Sequence, residues 1–149
     1  MIGLGIAGLY ARHGVTAAEK AQVEAVLAPT GQVLWVAHEE DLDAVTALSG
    51  SGPAYVFYFV EAMMQAAREM GLSDEQGRQL ALATFAGASE LARRSSEPPE
   101  VLRERVTSKA GTTEAALDSL EADAVKAAFV KALKAAQRRA RELGDEFGA

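Results

Sequence analysis

The sequence predicts a mainly α-helical fold, with a helical domain over residues 39–149 preceded by a short strand–helix–strand unit at 1–38. Three observations predict it. Residues 1–37 hold two β-prone apolar runs on either side of one capped helix. From Glu39 onward nothing reads as a strand, and apolar residues return at helical spacing between Gly, Pro and hydroxyl breakers. The chain has 149 residues, 49% of them hydrophobic, which suits one domain, or one small domain with an appendage, and a real core.

The opening stretch reads MIGLGIAGLYARHG, and Gly3, Gly5 and Gly8 spell G-x-G-x-x-G. A dinucleotide-binding turn needs a strand before those glycines, a helix at the third, and an acidic strand-end residue roughly 20 positions on. Only Met1 and Ile2 precede Gly3, Gly14 follows too soon for a crossover helix, and Glu24 falls within a helical pattern. The alternation of Ile2, Leu4 and Ile6 reads instead as a strand whose glycines let neighbours approach closely.

Thr16 and Glu19 form a capping box ahead of a helix over 17–27, with Val23, Val26 and Leu27 on one side. Pro29-Thr30-Gly31 ends it, and Gln32–Val36 is a second strand. This is one right-handed crossover unit, and two parallel strands with one helix cannot cover both sheet faces. The unit is therefore expected to be a piece of something larger. A helix over Glu39–Leu48 leads to Ser49-Gly50-Ser51-Gly52-Pro53, with Pro53 in the first turn of the next helix. That helix runs to Met70 and stops at Gly71. Its start, AYVFYFV, is apolar almost all round, which implies burial on several sides, in a core or between subunits.

Ser73 and Gln76 form a second capping box and open a helix through about Arg94. Glu97-Pro98-Pro99 breaks it, and a short helix spans Glu100–Val106. TSKAGTT at 107–113 precedes a helix over Glu114–Leu120. A last helix, Asp123–Leu143, puts Val125, Phe129, Leu133, Ala136, Ala140 and Leu143 on one stripe, and Gly144 is expected to close it. The many alanines and the long stripe suit close helix packing across a dimer interface.

Composition excludes several chemistries. Without cysteine there is no disulfide, thiolate metal site or cysteine nucleophile. A net charge of −6 argues against a general nucleic-acid role. The longest uncharged run, residues 44–60, contains Ser-Gly-Ser-Gly-Pro and suits neither a membrane span nor a signal peptide, so a cytoplasmic protein is expected. The Lys and Arg residues of the last helix, interleaved with acids, read as a solvated face. His13 and His38 read as surface residues, no metal site is expected, and no Ser/His/Asp set suggests covalent catalysis.

Two small-residue loops remain. Ser49–Pro53 does not fit G-x-S-x-G; it is either an interhelical turn or a place where backbone N–H groups approach a ligand. Thr107–Thr113 leads into a helix whose first turn carries Glu114. Either Thr112 or Thr113 is simply an N-cap, or the free N–H groups and hydroxyls there bind a carboxylate or phosphate. It is not a P-loop, because the lysine precedes the glycine. The residues alone leave both readings open.

Together, DAVTALSGSGPAYVFYFVEAM at 43–63 and LRERVTSKAGTTEAALDSLE at 102–121 resemble pyrroline-5-carboxylate reductases, whose signature is usually written T-S-P-G-G-T-T. The resemblance runs from Gly3 to about Arg141. It implies that residues 1–38 are the last strand–helix–strand remnant of a Rossmann domain, whose main cofactor site would lie before Met1. It implies that 39–149 form a helical dimerisation and substrate-binding domain. Family members pair as interlocked homodimers, often built further into a decamer. They use NADPH or NADH to reduce 1-pyrroline-5-carboxylate to L-proline.

Carried over by position, Ser108, Gly111, Thr112 and Thr113 grip the substrate carboxylate. Thr113 is also the catalytic candidate, as hydrogen-bond partner of the ring nitrogen. Thr46, Ser49, Gly50, Ser51, Gly52 and Pro53 match the segment facing the nicotinamide end of the cofactor. Lys109 and Ala110 stand where the family usually has Pro-Gly. If the second position needs positive φ, alanine costs on the order of 1 kcal/mol or more there, while Lys109 adds a cation beside the carboxylate. Lacking the cofactor half, the chain is expected to be inactive alone. The alternative is a helical dimerisation module that catalyses nothing. A helical domain from another dehydrogenase would leave the two motifs unexplained.

Overall fold

The computed structural model describes residues 3–147. Among them the chain is mainly helical, with one two-stranded parallel sheet. The order is β1 (Gly5–Tyr10), α1 (Ala17–Leu27), β2 (Gly31–Val36), α2 (Asp41–Val45), a π-helical segment (Thr46–Gly50), α3 (Gly52–Glu69), α4 (Asp74–Arg94), α5 (Pro99–Arg105), α6 (Thr112–Ala122) and α7 (Val125–Phe147). It divides into two compact units. One holds the residues through Pro53 together with those from Lys131 onward; the other is Ala54–Val130.

In the first unit β1 pairs β2 in register from Gly5 opposite Gly31 to Tyr10 opposite Val36. β1 starts later than the alternation predicts: Leu4 is 82% exposed and precedes the strand, and Ile2 lies outside the described residues. Two fingerprint glycines therefore run along β1 and make no phosphate-binding turn. Gly8 has a packing reason, because a Cβ there would stand 2.7 Å from Val45 Cγ1 of α2. The expected capping box starts α1: the Glu19 backbone N–H donates to Thr16 Oγ1 (3.3 Å), and the Thr16 N–H donates to Glu19 Oε2 (2.8 Å). Glu24, inside α1, accepts from the Trp35 indole N–H at 2.5 Å.

In the second unit α3 ends as the sequence predicts. Gly71 takes φ +90°, its N–H donates to the Arg68 carbonyl, and the Leu72 N–H donates to the Ala67 carbonyl, a Schellman closure. The Ser73–Gln76 box then opens α4. α4 lies close on α3, because a Cβ on Gly77 would meet Ala67 Cβ at 2.9 Å. Tyr55 and Phe59 of α3 meet Phe129 of α7 edge-on at 5.7 and 5.5 Å. α7 belongs to both units; of its expected stripe, Val125 and Phe129 in the second unit and Leu133, Ala136 and Ala140 in the first are half-buried, whereas Leu143 is exposed. α7 does not stop at Gly144 but continues to Phe147. A helix-interior glycine costs only about 1 kcal/mol, and Arg139 bridges Glu142 and Glu146 across it.

Among the described residues the buried hydrophobic side chains are Ala47 in the first unit and Val60, Ala67 and Ala81 in the second. AYVFYFV is covered on one side only, with Phe57 60% and Tyr58 69% exposed. The chain exposes 11406 Å². Two separately compact units of half its mass would expose about 8,800 Å² between them.

Candidate functional site

TSKAGTT is built between two helix ends. Pro99 sets the first turn of α5, and Arg105 at its other end pairs with Glu97 at 2.5 Å. The Thr107 hydroxyl donates to the Arg103 carbonyl (2.7 Å), which the Val106 N–H also meets at 3.2 Å at the C-terminus of α5. The chain then reverses through Ser108–Gly111, closed by the Gly111 N–H donating to the Ser108 carbonyl at 3.0 Å. Ala110 sits in the left-handed region at φ +57°. With negative φ at Lys109, this is the sign pattern of a type II turn, which favours Pro then Gly at its two central positions. Lys and Ala occupy those positions here. The second position does take positive φ, the condition under which the sequence assigns alanine a cost there.

The N-cap of α6 is Gly111, not Thr112 or Thr113, and it offers no side-chain acceptor. α6 therefore starts at Thr112, two residues earlier than predicted. Among the described residues, no acceptor meets the backbone N–H groups of Thr112, Thr113 or Glu114. They form a helix N-terminus with its donors free. Glu114, three residues in, folds back so that Oε2 accepts the Ala110 N–H at 2.5 Å. Sequence reading placed Glu114 in the first turn but gave it no partner; its signal was an acid at the third helical position with a cap that lacks a side chain.

Ser108 and Thr112 are exposed, while Thr113 and Gly111 are half-buried. Ser108, Gly111, Thr112 and Thr113 thus lie in one turn and the helix start that follows it. Beside Thr107 and Glu114 runs a groove of about 250 Å³ lined by Glu104, Asp118 and Glu121, with Arg103 its cation. The acidic lining disfavours an anion in the groove itself, so an anion is best met by the N–H groups at the helix start.

The second candidate segment falls in the other unit. In place of a loop after Leu48, Thr46–Gly50 is π-helical and the Ser51 N–H donates to the Thr46 carbonyl at 2.8 Å. One extra residue per turn is characteristic of functional segments in helices. Thr46 is exposed, Ser49 and Ser51 are half-buried, and Ala47 between them is buried. Gly52 has no atom within 4 Å of where a Cβ would stand, and Pro53 follows it in the first turn of α3, as the sequence predicts. His13 and His38 are both exposed. No group of three or more potential metal ligands occurs among the described residues, and no helix among them is long and apolar enough to cross a membrane.

The family model described as pyrroline-5-carboxylate reductase dimerisation matches residues 39–143. The pyrroline-5-carboxylate reductase of Pseudomonas aeruginosa is 45% identical over 144 residues, covering 97% of this chain and 53% of that protein. The solved pyrroline-5-carboxylate reductase of Coxiella burnetii aligns with a TM-score of 0.89 at 40% identity, over 93% of this chain and 51% of that one. The Plasmodium falciparum pyrroline carboxylate reductase, solved with NADP bound, aligns with a TM-score of 0.82 at 31% identity, over 92% and 53%. The chain spans about half the length of the relatives it matches.

Proposed function

The chain belongs to the pyrroline-5-carboxylate reductase family, and on that premise we propose that it is the dimerising, substrate-gripping portion of an NAD(P)H-dependent oxidoreductase. The reaction is reduction of 1-pyrroline-5-carboxylate to L-proline, in proline biosynthesis in the cytoplasm. Residues 39–149 form the helical domain, and 1–38 are the end of a dinucleotide-binding domain. The observation that carries the reading is the start of α6, where three backbone N–H groups stand free inside the segment that resembles the family signature.

In this reading the N–H groups of Thr112 and Thr113, with the Ser108 hydroxyl, hold the substrate carboxylate; Gly111 keeps the approach clear. The Thr113 hydroxyl meets the ring nitrogen, fixing the imine plane while the nitrogen gains a proton and the adjacent carbon gains the hydride. Thr46 and Ser49–Pro53 take the nicotinamide end of NADPH or NADH. They fit it by offering hydroxyls and a Gly52 backbone that no neighbour covers. When bound, the cofactor supplies the hydride. A second copy of the chain covers the exposed apolar helix faces in a homodimer, which is the unit of any decamer. One observation favours a second reading, a dimerisation module without catalysis: Gly5 and Gly8 run along β1 rather than in a phosphate-binding turn.

Titration of NADPH and of NADH against the purified chain, by calorimetry, tests the module: saturable micromolar binding overturns it, and no binding at millimolar cofactor overturns catalysis by this chain alone. Titration of L-proline tests the carboxylate grip independently: saturable binding weakened in Ser108→Ala supports it, and equal binding by both chains overturns it.

A further inference from the structure

We propose that Glu114 is a positioning residue of the 107–113 turn, its carboxylate steadying Ala110 in a left-handed conformation that costs alanine more than glycine. By fixing the turn it keeps the first N–H groups of α6 aimed at a bound carboxylate; this role rests on the carboxylate reading given above.

A reversal with positive φ at its third residue suits glycine, whereas an L-residue meets its own carbonyl there. The family's usual Pro-Gly would set both central dihedrals without help. Here Lys109 leaves the first dihedral free and Ala110, at φ +57°, resists the second. The helix that follows cannot supply the missing restraint in the ordinary way, because its N-cap is Gly111, which has no side chain to accept an N–H. The restraint comes from the other direction. Glu114 Oε2 lies 2.5 Å from the Ala110 nitrogen, a charge-assisted bond that ties the strained residue to the helix it precedes.

The chain also carries its own control. Ala124, between α6 and α7, is left-handed at φ +51°, and its N–H donates to the Glu121 backbone carbonyl with no carboxylate involved. Two alanines therefore carry the same kind of strain, and one of them has an acidic side chain holding it.

The test compares Glu114→Ala, Glu114→Gln, Glu114→Ala with Ala110→Gly, and Glu114→Ala with Ala124→Gly, all in the 149-residue chain. Two readouts are used: the Ala110 amide by NMR hydrogen exchange, and L-proline affinity by titration. Glu114→Ala should speed exchange at Ala110 several-fold and weaken L-proline binding about ten-fold, the scale of one charged hydrogen bond. Glu114→Gln, which keeps an acceptor, should stay within about three-fold of the parent. Adding Ala110→Gly should restore the affinity lost in Glu114→Ala, since glycine holds the turn unaided. Adding Ala124→Gly should raise stability without restoring affinity. Unchanged exchange at Ala110 in Glu114→Ala overturns the proposal, as does equal rescue by Ala124→Gly, which would mark general stabilisation. A parent chain that does not bind L-proline overturns the carboxylate reading instead, and exchange at Ala110, which needs no ligand, still decides whether Glu114 holds the turn.

Discussion

A methyl group at Gly111 would stand 2.9 Å from the Ser108 carbonyl oxygen and closer still to its hydroxyl, although the φ of −89° suits any residue. Space, not dihedral freedom, is what this glycine provides. Gly111→Ala should open the Ser108–Gly111 turn, cost about 1–3 kcal/mol in urea denaturation, and abolish L-proline binding. Charge at the residue scale is concentrated at Glu90, which accepts from Arg93 and Arg94, so its carboxyl titrates at about 2 rather than 4.5. A lowered folded pKa adds stability that is fully present above the unfolded value and is lost as pH falls through the folded one. Denaturation midpoints of the parent and Glu90→Gln should therefore differ at pH 6 and draw together between pH 4.5 and about 2. Added salt should shrink the difference, because all three side chains are exposed to solvent.

At the scale of elements, the starts and stops written in side chains were legible from the sequence. Both capping boxes and the closure at Gly71 form where their residues predict. Ser73→Ala should accordingly cost about 1 kcal/mol, read from the thermal midpoint. The boundaries that moved are those written in the backbone alone. The π-helical segment rests on an i to i+5 bond from the Ser51 N–H to the Thr46 carbonyl, for which no side chain is a marker. α6 starts at a glycine that has no capping group to display. β1 is shifted because Gly5 and Gly8 interrupt the alternation that would register it. Gly144 looked like a stop, but nothing crowds its missing Cβ and the helix runs through it. Gly144→Ala should stabilise the chain by about 0.5–1 kcal/mol, a gain in helicity visible by circular dichroism. The site residues of 107–113 were legible as a loop before a helix, whereas the left-handed Ala110 and its tie to Glu114 exist only in three dimensions.

At the scale of the whole molecule, the chain exposes more surface than its mass requires even as two compact units, and Val56, Phe57, Tyr58 and Met63 of α3 are among its exposed apolar residues. The cost of leaving Phe57 and Tyr58 in water is removed when a second copy covers them. The thermal midpoint should therefore rise with chain concentration, and Phe57→Glu should shift sedimentation toward the monomer. The lone Trp35 adds an optical consequence. Its indole donates to Glu24, and the Lys20 ammonium lies 4.9 Å from its ring, all within the strand–helix–strand unit. Tryptophan emission thus reports that unit alone, while the far-ultraviolet helical signal is dominated by the rest of the chain. One sample carries two spectroscopic channels, and a perturbation confined to the strand–helix–strand unit would change the first while leaving the second dark to it.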